Sequence, residues 1–512
     1  MSHYSLTGRG RLQGEQADKV LANVVASFER AAAEVASHLP AWLWLNNLRG
    51  LPGEIFQNPA YRYAGSHIER RLRAEAIAAL HGADADAPTP DWFPTEAFLR
   101  FVRLVNAETR ATVLRRIAAK AVPLIFSADG WPKVDCSDSR WRALVVFDER
   151  SQEANDLDGI AGTRATYDLS ELSNSRRNFN YIVGWGHRAD TSERQLHAWE
   201  HQFEDVVVPD WLYAAYAYRT RVPDLMEGLP WATQEFLLDM IVQQACLFHV
   251  MEGSACLRVA VLRSGYFPIS TEAWAGTLEE LLGLEATREF ADRLVGVELD
   301  GVSFDDLLAA ARRPPQLNPY RPGPVTTESP DGVLVDVVTA AHRVSLGLAP
   351  TAAGGPVPDH RAHDFERQVQ AVIDATSWRP PDELRRLIGK DLRLPDGTVL
   401  TDLDCLAVRD STAIIIDAKS PAAPGLREGN FAATRNARTM LEEARDLWDA
   451  KVSKLRAHPV GASYDLSGIA TLVPLVVTPV PVFVHEDLLG PRVLGALRPV
   501  ASLGELSVFL GA

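Results

Sequence analysis

Apolar residues recur at intervals of three and four over long stretches of this chain, and at intervals of two over a few short ones. VLANVVASFERAAAEVASHL and HIERRLRAEAIAALHG carry the helical spacing, so residues 20–125 read as several helices. From about 122 to 190, VPLIFSA, RALVVFD and NYIVGWG are short, rich in branched and aromatic residues and bounded by turn formers, which predicts strands. Residues 191–310 return to the helical spacing. PPQLNPYRPGPVTTESPDG (314–332) holds too many prolines for helix interior or central strand and reads as a boundary or an extended connector. VLVDVVTAAHRVSLGL follows as a small ordered island, and APTAAGGPVPDH (349–360) as a second flexible stretch. The expected division is a helical domain at 1–125, an α+β accessory domain at 126–313, a proline- and glycine-rich connector at 314–358 and a final domain at 359–512.

In the final domain the pattern becomes chemically specific. HDFERQVQAVIDA repeats Phe365, Val369, Val372 and Ile373 at helical spacing, with Glu366 at the edge of the stripe. In LRLPDGTVLTDLDCLAVRDSTAIIIDAKSP, Asp396-Gly397 signals a hairpin turn. TDLDCLAV and AIIIDAK are strand-like and flank the polar turn Arg409–Thr412, giving an expected meander of three antiparallel strands. Side chains alternate along a strand, so Asp402 and Asp404 share one side of the second strand, and Asp417 and Lys419 one side of the third. With neighbouring strands about 5 Å apart, one registration brings Asp404 and Asp417 together at a sheet edge.

Two carboxylates that close repel each other unless a cation lies between them. An all-oxygen set, completed by water and by a carbonyl such as that of Ala418, suits Mg²⁺. The Lys419 ammonium would reach a water or a phosphate oxygen beside that metal, and phosphodiester hydrolysis needs such parts. Ile414 and Ile416, on the opposite face, are expected to be buried against helix.

Composition sets the wider frame. At 512 residues, 46% hydrophobic and 23% charged, the chain is an ordinary globular protein of several domains. The net charge of -15 argues against a long basic track for nucleic acid. It is unevenly spread: from His360 onward there are 18 Lys+Arg and 20 Asp+Glu out of totals of 52 and 67, so the excess acid lies mainly upstream. Four scattered cysteines offer neither a disulfide framework nor a four-thiolate zinc site. No run approaches the roughly 18 apolar residues of a membrane span, and the first residues lack the apolar core of a secretory signal. The expectation is a cytoplasmic protein with no membrane partner.

Residues 360–490 resemble the PD-(D/E)XK nuclease superfamily, the restriction-endonuclease-like group. Glu366 matches the glutamate of the family's early helix, Asp404 the isolated acid of its second strand, and Asp417 and Lys419 the acid-x-lysine of its third. The resemblance implies an α/β C-terminal domain, a mixed central sheet flanked by helices, behind a mainly helical α+β N-terminal region. It implies a Mg²⁺-dependent DNA endonuclease, with Mn²⁺ able to substitute. Asp404, Asp417 and Ala418 would hold the metal, with Lys419 and Glu366 catalytic. Arg435 or Arg438, on the following helix, would position the scissile phosphate. A role in bacterial anti-phage defence or restriction would follow, with residues 1–330 as a sensor, specificity or regulatory module that binds a partner protein or forms a homo-oligomer.

Asp417 stands where the family more commonly has glutamate. Pro474, Pro479 and Pro481 interrupt the later strand IATLVPLVVTPVPVFV, which must therefore lie at an edge, carry a bulge or form two pieces. Two other readings compete. One is a nuclease fold without catalysis, serving as a DNA-binding or scaffold protein. The other is a zinc hydrolase centred on His197, Glu200 and His201, which match H-x-x-E-H. A second Asp-x-Lys, Asp449-Ala450-Lys451, lies in a helical segment and reads as solvated surface.

Overall fold

The computed structural model describes residues 10–49, 67–88, 95–127, 130–157, 234–252, 265–284, 287–288, 299–314, 323–337, 339–340, 343, 357–420, 431–485 and 490–511. The zinc motif His197–His201 and the NYIVGWG segment lie outside them. The contacts divide the chain into two units, one formed by residues 1–20, 114–161 and 351–512, the other by 21–113 and 162–350. The architecture is α/β, with small mixed sheets flanked by helices and a more helix-rich N-terminal region. Among the described residues no helix is long and apolar enough to cross a membrane.

In the unit of residues 21–113 and 162–350, helices Ala41–Arg49 and His67–His81 pack together. Between them Trp44 is fully buried, its indole N–H donating to the Ala36 carbonyl at 2.9 Å. Helices Gln234–Glu252, Thr271–Gly283 and Phe304–Arg312 pack beside a three-stranded antiparallel sheet. Its strands run in the order Tyr266–Ile269, Gly332–Asp336, Thr326–Ser329. The last two correct the reading of 314–332 as boundary or connector: ordered hairpin begins at Thr326. Pro324 precedes the strand and Pro330 lies in the turn, so neither removes a ladder donor, and Gly332 supplies the positive φ of 137° where the second strand starts.

The other unit carries the candidate chemistry. Its C-terminal elements are α1 (Val357–Asp374), β1 (Asp391–Arg393), β2 (Val399–Asp402), β3 (Cys405–Arg409), β4 (Thr412–Ala418), α2 (Phe431–Ala457), β5 (Thr471–Thr478), β6 (Val500–Ser502) and α3 (Leu503–Leu510). The main sheet has the order β6-β5-β4-β3, with β4 antiparallel to β3 and parallel to β5. Alternation along β4 sorts its side chains into two cores. Ile414 and Ile416 are buried with Phe365, Val369 and Ile373 of α1 and Leu506 of α3. Ala413 and Ile415 are buried with Trp448 and Val452 of α2. Each large aliphatic side chain so buried contributes about 2 kcal/mol.

The expected three-stranded meander does not form. Among the described residues β1 and β2 pair only with each other, as a separate two-stranded sheet. The break falls at Leu403, whose N–H donates to the Lys390 carbonyl and whose own carbonyl accepts from Gly389, while its side chain is 1% exposed in the core beneath α2. With both backbone groups engaged there, the chain turns before β3 begins.

RALVVFD, expected as a strand, lies inside helix Ser139–Leu157. Its buried residues are Ala143, Leu144 and Phe147, a helical spacing that its valines obscure. Phe147 meets Phe483 edge-on at 5.8 Å. Arg150 donates to both carboxylate oxygens of Glu505, at 2.5 and 2.8 Å.

The proline question resolves through strand geometry. β5 ends at Thr478, before Pro479 and Pro481, but includes Pro474. The Val476 N–H donates to the carbonyl of Pro499, toward β6, so position 474, two residues earlier, faces the same way. There the three-residue β6 has not yet begun to pair, and no ladder donor is lost. The guanidinium of Arg456 closes the rest of that edge by donating to the Leu472 carbonyl at 3.1 and 2.7 Å.

Candidate active site

The turn between β3 and β4 contains two residues, Asp410 and Ser411, and Asp410 takes the positive φ of 56° that such tight turns use. This turn fixes the register at Arg409↔Thr412, and pairing runs to Cys405↔Ile416. One further step sets Asp404 across from Asp417. At that step the ladder has ended, and the Ala418 N–H, which would have served a longer β3, donates instead to Asp404 Oδ2 at 2.8 Å. Within a strand the N–H and carbonyl of one residue point the same way, so the Ala418 carbonyl faces this side as well. On the other flank the Lys419 N–H donates to the Val477 carbonyl at 2.8 Å, which holds the end of β4 against β5.

Asp417 is 9% exposed, and its Oδ1 accepts from Lys419 Nζ at 2.7 Å. Burial works against the Lys419 ammonium, but the charge and hydrogen bond of Asp417, reinforced by Asp404 and Asp402, outweigh it and raise its pKa above that of an ordinary lysine. Asp404 shows the opposite balance for an acid. Burial pushes its pKa up, the Ala418 N–H pulls it down, and the charges of Asp417 and Glu366 push it up again, to about 7. The structure thus brings Asp404, Asp417 and Lys419 into one cluster, with Glu366 close enough on α1 for its charge to act on Asp404.

Asp402 is placed differently from the sequence expectation. It ends β2 rather than sharing a strand with Asp404, and it is exposed. Lys451 is not simply solvated. It donates to Thr401 Oγ1 at 3.1 Å and lies 5.7 Å from the Trp448 ring centre, tying α2 to β2. Arg435 is exposed beside Asn436, and Arg438 faces Glu442 at 3.7 Å, so the partners of both lie on α2 itself.

The donor set offered to a cation is two carboxylates and the Ala418 backbone. Among the described residues there is no group of three or more His, Cys, Asp or Glu side chains arranged to hold a metal ion. The chemistry of the set still fits a hard divalent cation: it is all oxygen, and Asp404 is drawn toward protonation by burial and, after it, by the charges of Asp417 and Glu366, which a cation would offset. A cavity of about 540 Å³ elsewhere in the unit is lined by Arg445, Asp449, Pro474, Val476 and Pro499, none of them in this cluster.

Sequence reasoning missed Gln370 and Leu403, whose roles come from buried backbone bonds that leave no residue pattern. Compared with protein-family models, with curated proteins and with solved structures, the chain matches none.

Proposed function

We propose that this unit is a restriction-endonuclease-like domain and that the chain is a Mg²⁺-dependent DNA endonuclease. The observation that carries the reading is the register of β3 and β4, which sets Asp404 across from Asp417 at the end of a ladder with Lys419 on the same cluster. Asp404 and Asp417 would hold the ion, with the Ala418 carbonyl as a third oxygen and Mn²⁺ able to replace Mg²⁺. When bound, the ion supplies Lewis-acid activation of water and offsets charge developing on the phosphate. Lys419 holds its proton and presents it to the attacked phosphate or to the incoming water. Glu366 adds a carboxylate that orients water at the same site. Arg435 or Arg438 would bind a neighbouring phosphate. Residues 1–330 would select the target or restrain cleavage, through a partner protein or self-association, in a bacterial defence or restriction role.

Purified protein should nick or cut plasmid DNA with Mg²⁺ or Mn²⁺ and stop when chelator is added. Asp404→Ala and Asp417→Ala should lose cleavage while staying folded, and Lys419→Ala should keep metal binding but lose turnover. Undiminished cleavage by Asp417→Ala defeats the reading.

One observation favours a second reading. With no third side-chain ligand among the described residues, the Asp417–Lys419 pair serves as a structural ion pair in a nuclease-like fold that binds DNA or acts as a scaffold without cutting. That reading predicts a folded protein that leaves plasmid intact with every divalent cation tried.

A further inference from the structure

We infer that Gln370 is a positioning residue for the acidic site, holding the helix that carries Glu366 in fixed register against the strand that follows Asp404. The inference rests on the nuclease reading and adds a residue to it. Gln370 lies on α1, one turn after Glu366, and is 8% exposed. Its Oε1 accepts the Leu406 N–H at 3.0 Å, and its Nε2 donates to the Leu406 carbonyl at 3.3 Å and to Asp374 Oδ1 at 2.9 Å. Both backbone groups of Leu406 are therefore satisfied by one side chain, at the outer edge of β3, where no further strand pairs among the described residues.

The placement of this clamp matters more than its presence. Leu406 is two residues past Asp404, and Gln370 is four residues past Glu366, so the clamp lies about 6 Å along the chain from each acid. The Cys405 thiol donates to the Glu366 carbonyl at 3.2 Å and locks the same two elements between clamp and acids. Metal ligands must be held to within about 0.5 Å, and side chains can deliver that only if their elements cannot slide. An edge needing only protection from another strand could use a lysine or a proline. An amide that grips both groups of one residue fixes distance and register together.

The test uses the full chain, with Mn²⁺ alone as the probe and free Mn²⁺ read by electron paramagnetic resonance. Gln370→Met keeps the side chain's length and loses all three bonds. Gln370→Glu keeps an acceptor for the Leu406 N–H, and its added charge by itself would favour a cation. Gln370→Met is expected to weaken Mn²⁺ binding about tenfold, the range seen when outer partners of metal ligands are removed. Gln370→Glu should fall between it and the unsubstituted chain. Melting in chelator separates structure from positioning: a lower melting temperature with unchanged Mn²⁺ affinity of the folded protein overturns the inference. If Gln370→Met does not fold, Gln370→Glu decides alone, and affinity equal to or above that of the unsubstituted chain overturns it. If the unsubstituted chain itself binds no Mn²⁺, the nuclease reading fails first and this inference with it.

Discussion

Asp404 and Asp417 face each other one step beyond the last pair of the β3–β4 ladder, where Asp404 Oδ2 accepts the backbone N–H of Ala418 at 2.8 Å. A single N–H does not offset burial beside two other acids, so without a cation Asp404 competes for a proton near pH 7. Folding and site chemistry are therefore linked through this carboxyl.

The first prediction follows from that linkage. An acid with a folded pKa of about 7 and an ordinary value of 3.8 binds its proton more tightly when folded. Its contribution to stability is present below about pH 4 and is lost as pH rises toward 7. In chelator, Asp404→Asn should melt higher than the unsubstituted chain at about pH 8 and close to it near pH 4. Parallel melting curves across that range would contradict the balance described.

Lys419 is the partner of a buried carboxylate. Lys419→Met should leave Asp417 without its cation and lower stability by about 1–3 kcal/mol in metal-free buffer, with Mn²⁺ recovering part of the loss. Urea unfolding with and without Mn²⁺ measures both effects. No destabilisation would mean that the ion pair is solvent-screened and energetically idle.

A third prediction concerns helix Ser139–Leu157, which belongs to the site unit although it lies far upstream in sequence. Burial opposes the charge of Glu505, but the hydrogen bond and charge of Arg150, with bonds from Ser502, hold its pKa below the usual carboxylate range. That contribution is present above the ordinary glutamate range and is lost as pH falls through the lowered value. Arg150→Met should cost about 3 kcal/mol at neutral pH, because it strands a partly buried carboxylate, and the cost should shrink in acid. A fragment beginning near residue 355 lacks both Arg150 and Phe147 and should melt below the full chain in a calorimetric comparison.

Where the sequence was informative, the determinant was local. Alternation with period two showed that one registration would bring Asp404 to Asp417, and the two-residue turn at Asp410-Ser411 is what selects that registration. The helical stripe of α1 and the burial of Ile414 and Ile416 were legible for the same reason. The misreadings share a different cause. Val145 and Val146 gave RALVVFD a strand's composition, while the spacing of Ala143, Leu144 and Phe147 suited packing as a helix. The separation of β1–β2 depends on the Leu403 backbone bonding to Gly389 and Lys390, residues more than ten positions away. The role of Gln370 was not legible, because nothing in the pattern announces an amide that grips a strand edge.

The most direct test of the central claim is a Mn²⁺ titration of the full chain, followed by electron paramagnetic resonance, beside Asp404→Ala, Asp417→Ala and Lys419→Ala. Saturable binding is expected in the unsubstituted chain, lost in both aspartate variants and retained in Lys419→Ala. Binding in Asp417→Ala equal to that of the unsubstituted chain would contradict the claim.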